Sequence, residues 1–309
     1  MDIAERALVF DCRGESLVGV VSMHARDRAS TGVLIIVGGP QYRVGSHRHF
    51  VRLARFMAGQ GVPCMRFDYR GMGDATGEQR NFATVNDDVR AAIEAFVAAV
   101  PGLERVVLWG LCDGASAACL ALGECPRVAG AVLLNPWVRT EAGKASVMLR
   151  HYYLRRLLDG RFWRKLLRGD VKLLRSASSL ASTVAGVRGG GKPARALAPH
   201  APVAQSRPPH LADVPRLPQR MLEALARTDV PIAVALSGRD FVAREFEQLV
   251  ERERTWRSLM GGARVTVQRF EQADHTFSRA VDAAAVEQFT LAWLNAQGLL
   301  QGDAAVQEH

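Results

Sequence analysis

Residues 105–122 combine an apolar run, a turn flanked by two glycines and a run of small residues. The run at 105–109 is typical of a buried strand, and the pattern after the turn is typical of a helix. The turn itself reads Gly110-Leu111-Cys112-Asp113-Gly114, and a Cβ at either glycine would collide with neighbouring elements. A tight strand–turn–helix unit of this kind favours an α/β architecture.

The centre of this turn is a cysteine at the serine position of the G-x-S-x-G spacing, which is typical of a nucleophile. A helix that begins after Cys112 points unpaired N–H groups at the sulfur, which favours thiolate over thiol and later favours an oxyanion. The N–H of Asp113 is one expected oxyanion donor. The alternative interpretation is that Cys112 is only a small buried residue, as free cysteines often are.

Strands and helices alternate along most of the chain, which predicts a mostly parallel central sheet with helices on both faces. An antiparallel hairpin over 7–12 and 17–23 precedes this alternation. Further strands are predicted at 32–37, 62–67, 105–109, 129–134, 230–236 and 265–270. Helices are predicted at 50–58, 84–99, from the turn to about 122, and at 243–260 and 281–296. The fold class is therefore α/β.

The alternation is interrupted at 139–228, between the sixth and seventh strands of the predicted core. Residues 139–220 contain 17 Lys/Arg and 4 Asp/Glu, so this stretch carries +13 while the rest of the chain carries −4. Its first part is helical, basic and aromatic, and about 176–219 has a Ser/Ala/Gly/Pro-rich composition typical of disorder. We expect an α/β core formed by 1–138 and 229–309, with 139–228 as a basic lid.

A thiol nucleophile needs a base within hydrogen-bond reach, because a free thiol with a pKa of about 8.5 is mostly protonated at neutral pH. His275 follows the last predicted strand, where the base of this architecture lies. Asp240 follows the penultimate strand and is the expected acid, with Asp274 as a rival because it adjoins the histidine. The order Cys112, Asp240, His275 is nucleophile, acid and base.

The loop after the strand at 32–37 is expected to complete the site. Pro40 cannot donate a hydrogen bond, so the N–H of Gly39 is the favoured second oxyanion donor, with Gln41 as the next choice. The same loop carries Tyr42, Arg43, His47 and Arg48 as candidate substrate-binding residues. They would clamp a carboxylate or phosphate near the thiol, or they are simply solvated charges.

Bulk composition is that of a globular protein, with 48% hydrophobic and 23% charged residues. The first residues do not resemble a signal peptide, and no run approaches the length of a membrane span, so we expect a cytoplasmic protein. Five cysteines without a C-x-x-C pair argue against a disulfide framework and a zinc site. No metal or organic cofactor is expected, and no nucleic-acid motif accompanies the positive charge.

The chain resembles the α/β-hydrolase superfamily over about 1–138 and 229–297, and two further segments carry this resemblance. Residues 68–75 are similar to its D-x-R-G-x-G-x-S turn, and residues 37–40 to its H-G-G-P loop. More narrowly, residues 39–48, 67–74 and 110–117 resemble the exosortase A system-associated hydrolase 1 family, bacterial proteins linked to exopolysaccharide and protein-sorting loci. The expected partner is a small-molecule or saccharide-linked acyl substrate.

Together these patterns predict a Cys-His-Asp hydrolase that cleaves an ester or thioester through a thioacyl intermediate. An acyltransferase with the same intermediate is the first alternative, since the acceptor depends on the lid and on water access. A scaffold that binds an acidic polymer or a membrane is another, because a basic, aromatic helix at 147–175 could contact the inner membrane peripherally.

Overall fold

A computed structural model describes residues 3–24, 29–38, 41–138 and 216–300. In these residues an eight-stranded sheet has the order β1-β2-β4-β3-β5-β6-β7-β8. The strands are β1 (Ile3–Cys12), β2 (Glu15–His24), β3 (Thr31–Ile36), β4 (Cys64–Asp68), β5 (Arg105–Leu111), β6 (Val128–Leu134), β7 (Ile232–Ser237) and β8 (Val265–Phe270). The helices are α1 (His49–Gly59), α2 (Asn86–Ala99), α3 (Asp113–Ala121), α4 (Leu217–Ala226), α5 (Phe241–Arg252), α6 (Arg254–Met260) and α7 (Ala280–Ala296).

The sheet has one antiparallel edge and a parallel remainder. β1 and β2 form the predicted hairpin, and β2 pairs antiparallel with β4. The remaining neighbours, from β4 through β3 to β8, are all parallel. This confirms the predicted mostly parallel sheet. Because parallel strands share a direction, the loops that follow β3 to β8 meet at one edge of the sheet.

Both faces of the sheet are covered, as the continuous apolar strands predict. In β3, where every residue is buried, Leu34 and Ile36 face a cluster that includes side chains from α2, α3 and α5. Val33 and Ile35 face a second cluster that includes side chains from α1 and α7. Side chains alternate across a strand, so one six-residue run contributes to two cores. The rigid centre of the sheet positions the loops at its carboxyl edge.

Two segments differ from the predicted elements. The helix expected over 243–260 is two helices, because Glu253 adopts an extended conformation (φ −95°, ψ 115°) between α5 and α6. α4 lies inside the stretch 139–228 that we expected to be lid, yet its Leu217, Met221 and Leu225 are buried in the core. Residues 139–215, with the predicted helix at 147–175 and the Pro/Gly-rich stretch, lie outside the described residues.

Across the described ranges, no helix is both long enough and apolar enough to pass through a membrane.

Candidate active site

The turn between β5 and α3 holds Cys112 in a conformation that L-residues rarely adopt (φ 59°, ψ −123°). Such a conformation costs about 1–3 kcal/mol and persists only where the surroundings impose it. A Cβ on Gly110 would lie 2.3 Å from the carbonyl oxygen of Gly114, and one on Gly114 would lie 2.5 Å from that of Ile36. The two glycines are therefore required by close backbone contacts, which hold the turn in its strained shape.

Cys112 also differs from the other cysteines in its exposure. All five cysteines of the chain lie in the described residues, and Cys112 is the one that is not buried. Burial raises the pKa of the Cys64 and Cys119 thiols far above the usual value, so both stay protonated. The reactive form of cysteine is the thiolate. The environment therefore favours reaction at Cys112.

Asp240 and His275 lie together at the carboxyl ends of the neighbouring strands β7 and β8. His275 Nδ1 lies 2.9 Å from Asp240 Oδ2, within hydrogen-bond distance. The carboxylate of Asp240 also caps α5, accepting hydrogen bonds from the N–H groups of Val242 (3.2 Å) and Ala243 (3.1 Å). These contacts fix the carboxylate. A proton on Nδ1 leaves Nε2 of the neutral imidazole as the acceptor for a thiol proton.

The electrostatic surroundings make His275 a stronger base than an ordinary histidine. Burial by itself lowers the pKa of the imidazole, but the hydrogen bond and charge of Asp240 outweigh it, with smaller contributions from Asp113 and Asp274. The net result is a raised pKa. The influence of Asp113, the neighbour of Cys112, is consistent with the turn at Cys112 and His275 lying at the same edge of the sheet.

Asp274, the alternative to Asp240 as the acid, makes different contacts. Asp274 Oδ1 accepts hydrogen bonds from the backbone N–H groups of Thr276 (3.2 Å) and Ser278 (2.9 Å), and the Ser278 hydroxyl donates to Oδ2. Burial tends to raise the pKa of Asp274, but these hydrogen bonds from Ser278 and Thr276 lower it overall. Asp274 therefore shapes the loop that carries the histidine, whereas Asp240 contacts the imidazole.

The expected oxyanion donors are only partly described. The side chain of Asp113 turns back on the helix, where its Oδ1 accepts from the N–H of Gly114 at 3.1 Å. A Cβ on Gly38 would come within 2.1 Å of the same Oδ1, so the loop after β3 passes directly beside the nucleophile turn. Gly39 lies outside the described residues. Gln41 uses its side-chain oxygen to accept from the Ser46 N–H at 3.2 Å.

Arg43, a candidate anion clamp, is already paired with carboxylates. Its guanidinium contacts the buried carboxylate of Asp68 and lies 2.7 Å from Asp74. Its backbone N–H donates to Asp68 at 2.6 Å. Burial lowers the pKa of Arg43, but the hydrogen bond to Asp74 and the charge of Asp68 raise it overall. These contacts attach the loop after β3 to the end of β4.

A cleft of about 580 Å³ lies between these two segments. It is lined by Gln41, Tyr42, Gly71, Met72, Gly73, Asp74 and Gln79. Tyr42 is exposed, and the Arg43 guanidinium lies 5.7 Å from its ring centre. The cleft is open and mainly polar, and Tyr42 offers it one aromatic surface.

His47 and Arg48 lie farther along the same loop, and both are exposed and left-handed (φ 53° and 59°). An electrostatic interaction with His47 helps to lower the pKa of Asp274, so this end of the loop lies near the segment that carries His275. The next residue, His49, is buried against the rings of Trp109 and Phe277. Burial lowers its pKa to about 4, so His49 is a neutral core residue.

Sequence reasoning missed two buried polar residues at the same edge, Asn135 and Ser237. Asn135 directly follows β6, and Ser237 is the last residue of β7. Their position could have indicated them, because polar residues at the carboxyl ends of parallel strands face the site. In the part of the chain that is described, no three metal-binding side chains are grouped together.

This arrangement is that of an α/β hydrolase: a strained turn flanked by glycines after β5, a carboxylate after β7 and a histidine after β8 on a sheet of this order. Over residues 29–188 the sequence matches the family described as Serine aminopeptidase, S33, and the chain belongs to that family. This confirms the expected superfamily. The family description names serine, whereas the corresponding turn here carries Cys112.

Individual relatives are more distant. Human Protein ABHD12B is 30% identical over 102 residues, which are 32% of this chain and 27% of that protein. The chain thus matches about a quarter of the length of this curated relative. Esterase Pf2001 of Pyrococcus furiosus superposes with a TM-score of 0.61 at 14% identity, covering 95% of this chain and 93% of the esterase. Est1E of Butyrivibrio proteoclasticus, solved with ferulic acid, gives 0.57 at 13% identity, covering 94% and 100%. These two solved structures share the fold.

Proposed function

We propose that this α/β hydrolase cleaves a carboxylic ester or thioester with Cys112 as nucleophile, His275 as base and Asp240 as the acid that orients the base. The observation that carries most weight is the 2.9 Å contact between Asp240 and His275, made by residues 35 positions apart. The imidazole is held in place by this contact, is partly buried and has a raised pKa. It is suited to moving a proton.

The first half of the proposed reaction acylates the enzyme. Nε2 of His275 takes the proton from the Cys112 sulfur, and the thiolate forms a bond to the carbonyl carbon of the substrate. The N–H groups of Asp113 and the loop after β3, with Gly39 or Gln41 as donor, stabilise the oxyanion. The tetrahedral intermediate then expels the alcohol or thiol, which takes the proton from His275, and a thioester remains on Cys112.

The second half releases the acid. His275 takes a proton from water, and the hydroxide oxygen bonds to the carbonyl carbon of the thioester. The carbon–sulfur bond breaks, the thiolate recovers the proton from His275, and the carboxylic acid leaves. Asp240 keeps its hydrogen bond to Nδ1 in both halves, which stabilises each imidazolium.

The substrate side of the proposal is a small-molecule acyl ester, including one linked to a saccharide, in keeping with the exopolysaccharide association that the sequence resemblance implies. The pairing of Arg43 with Asp68 and Asp74 argues against a dominant anion clamp at that residue. Instead, the polar lining of the cleft, with the exposed ring of Tyr42, favours an uncharged group with hydroxyls.

The decisive experiment is intact-protein mass spectrometry after exposure to activated esters such as p-nitrophenyl acetate and butyrate. We expect a single acyl adduct on Cys112 that disappears with time as the acid is released. Cys112→Ala should form no adduct, while Cys125→Ala, the same change at a buried thiol, should behave like the wild type. An adduct that persists in Cys112→Ala would reject the assignment of the nucleophile.

An acyltransferase would form the same acyl adduct on Cys112. The two activities differ in how this adduct is lost. If water is the acceptor, added sugars or amines leave the rate of deacylation unchanged. Loss of the adduct only in the presence of such an acceptor would replace the hydrolase proposal by a transferase.

For the membrane alternative, the chain and a variant lacking 147–175 would be sedimented with anionic liposomes. Equal pelleting of the two proteins would exclude that segment as an anchor.

A further inference from the structure

The residue directly after β6, Asn135, links three segments of the carboxyl edge. Its side chain is fully buried, and its backbone is left-handed (φ 45°), a conformation that asparagine tolerates better than most residues. Its Nδ2 donates to the Ser237 hydroxyl at 2.9 Å and to the backbone carbonyl of His275 at 3.0 Å. Its Oδ1 accepts from the Ser237 N–H at 2.8 Å. Both amide hydrogens and the amide oxygen are therefore used.

Ser237 extends this network by one bond. Its hydroxyl donates to the backbone carbonyl of Asp274 at 2.8 Å, so two consecutive carbonyls of the base loop are held by Asn135 and Ser237. Both side chains are shielded from water, so each bond lost would leave a buried group without a partner. Whereas Asp240 holds the imidazole, this network holds the backbone from which the imidazole extends.

The segment around Asn135 also holds the backbone of the nucleophile. Cys112 N–H donates to the carbonyl of Leu134 at 2.9 Å, and the N–H of Trp137 donates to the carbonyl of Cys112 at 3.3 Å. The Ser116 hydroxyl, in the first turns of α3, donates to the carbonyl of Trp137 at 2.7 Å. Residues 134–137 therefore bind both peptide groups of Cys112 while Asn135 binds the peptide of His275.

We propose that Asn135, supported by Ser237, is a positioning residue that sets the separation between the Cys112 sulfur and the His275 imidazole. The inference rests on the proposed function, because it gives the network a catalytic purpose. Asn135 touches only the backbone of the base, so it acts through His275. A displacement of about 1 Å between reacting groups costs on the order of 10²-fold in rate.

The test uses Asn135→Gly, which keeps the left-handed backbone and adds no charge, and Ser237→Ala, which removes the hydroxyl bonds. Ester hydrolysis should fall by about 10²-fold in kcat for Asn135→Gly and by about 10-fold for Ser237→Ala, with KM changed by less than about 3-fold. A second readout is the pH dependence of Cys112 alkylation by iodoacetamide. Its midpoint should differ from that of the wild type, because the separation of the thiol from the imidazole has changed.

A control separates positioning from general loss of stability. Asp88→Asn breaks the buried pair with Arg70, whose side chain lies 2.7 Å away, without touching the 134–137 segment. This variant should unfold at lower denaturant but keep the alkylation midpoint of the wild type. If Asn135→Gly behaves like Asp88→Asn, with lower stability and an unchanged midpoint, the inference is overturned. Should Asn135→Gly fail to fold, an unchanged midpoint in Ser237→Ala has the same meaning.

Failure of the proposed function would give a different pattern. In that case His275→Ala leaves the alkylation midpoint of Cys112 where it is in the wild type, because thiol and imidazole are not coupled. A midpoint that shifts in His275→Ala but not in Asn135→Gly or Ser237→Ala keeps the catalytic pair and rejects the positioning role.

Discussion

Cys112 occupies the N-cap position of α3, and Cys119 lies within the same helix seven residues later, in contrasting surroundings. Cys112 caps the helix from a strained turn and is partly exposed, whereas Cys119 is fully buried and its sulfur lies 3.6 Å from the carbonyl of Met221 in α4. The side chains are chemically identical. The comparison shows that the fold, through backbone strain, exposure and neighbouring groups, decides which thiol is suited to react.

The largest expected difference is in turnover. Under the proposed mechanism, Cys112→Ala should lower kcat for ester hydrolysis by about 10⁴- to 10⁶-fold, because it removes the sulfur that would form the covalent intermediate. Cys119→Ala should leave kcat within about 2-fold of the wild type, since its sulfur contacts only the core. Steady-state kinetics on p-nitrophenyl butyrate measures both. Comparable losses of kcat in the two variants would contradict the different roles assigned to Cys112 and Cys119.

The next difference is in alkylation of the native protein. Cys112 should react with iodoacetamide at least about 10³-fold faster than Cys64 or Cys119, because buried thiols become accessible only when the structure opens. Burial also raises the pKa of both buried thiols. Peptide mapping after timed alkylation gives the three rates. In urea-unfolded protein the rates should converge, and a difference that survives unfolding would contradict the role of the fold.

The position of Cys112 on a turn between a strand and a helix was predictable, because strand–turn–helix patterns and strand order depend on short stretches of sequence. The same rules place Asp240 and His275 at adjacent strand ends. They do not reveal that Arg43 pairs with Asp68 and Asp74, or that Asn135 reaches His275. Those contacts join residues 25 to 140 positions apart and depend on side-chain geometry in the assembled fold.

The break between α5 and α6 shows a second limit of the sequence. Neither proline nor glycine interrupts 243–260, and the apolar spacing continues through it. Packing decides the boundary: Phe246 of α5 and Trp256 of α6 are both buried, with ring centres 5.6 Å apart. Tertiary contact thus overrides local helix propensity at Glu253.

The contribution of Asp240 should appear in the pH dependence of turnover. Asp240→Asn should reduce kcat by about 10²-fold, yet asparagine can still cap α5. In the wild type we expect activity to fall as the pH drops through the raised pKa of His275, because in the proposed reaction a protonated imidazole cannot accept the thiol proton. Loss of the carboxylate lowers this pKa, so the acid limb of kcat/KM should move to lower pH.

Asp274→Asn is the matched control, because the same change is made at the residue next to His275. Asp274 is a smaller cause of the raised pKa than Asp240, so the acid limb should move less. A larger movement in Asp274→Asn than in Asp240→Asn would identify Asp274 as the functional acid instead.

The raised pKa of His275 also makes the free energy of unfolding depend on pH. The stabilising His275–Asp240 attraction is fully present below the unfolded pKa of about 6.5, and it is lost as the pH rises through the higher pKa of the folded state.

The smallest expected effect is on stability. Replacement of cysteine by glycine should stabilise the fold at position 112 and destabilise it at position 119. Cys112→Gly replaces a residue at φ 59° by one without a Cβ, which should stabilise the fold by about 1 kcal/mol after the entropy cost of glycine. Cys119→Gly places glycine in a helix and removes a buried sulfur, which should destabilise by about 2 kcal/mol. Urea unfolding midpoints report both changes. Destabilisation in both variants would mean that the turn stores no strain, and the exposed thiol would then lose one of the physical features that separate it from Cys119.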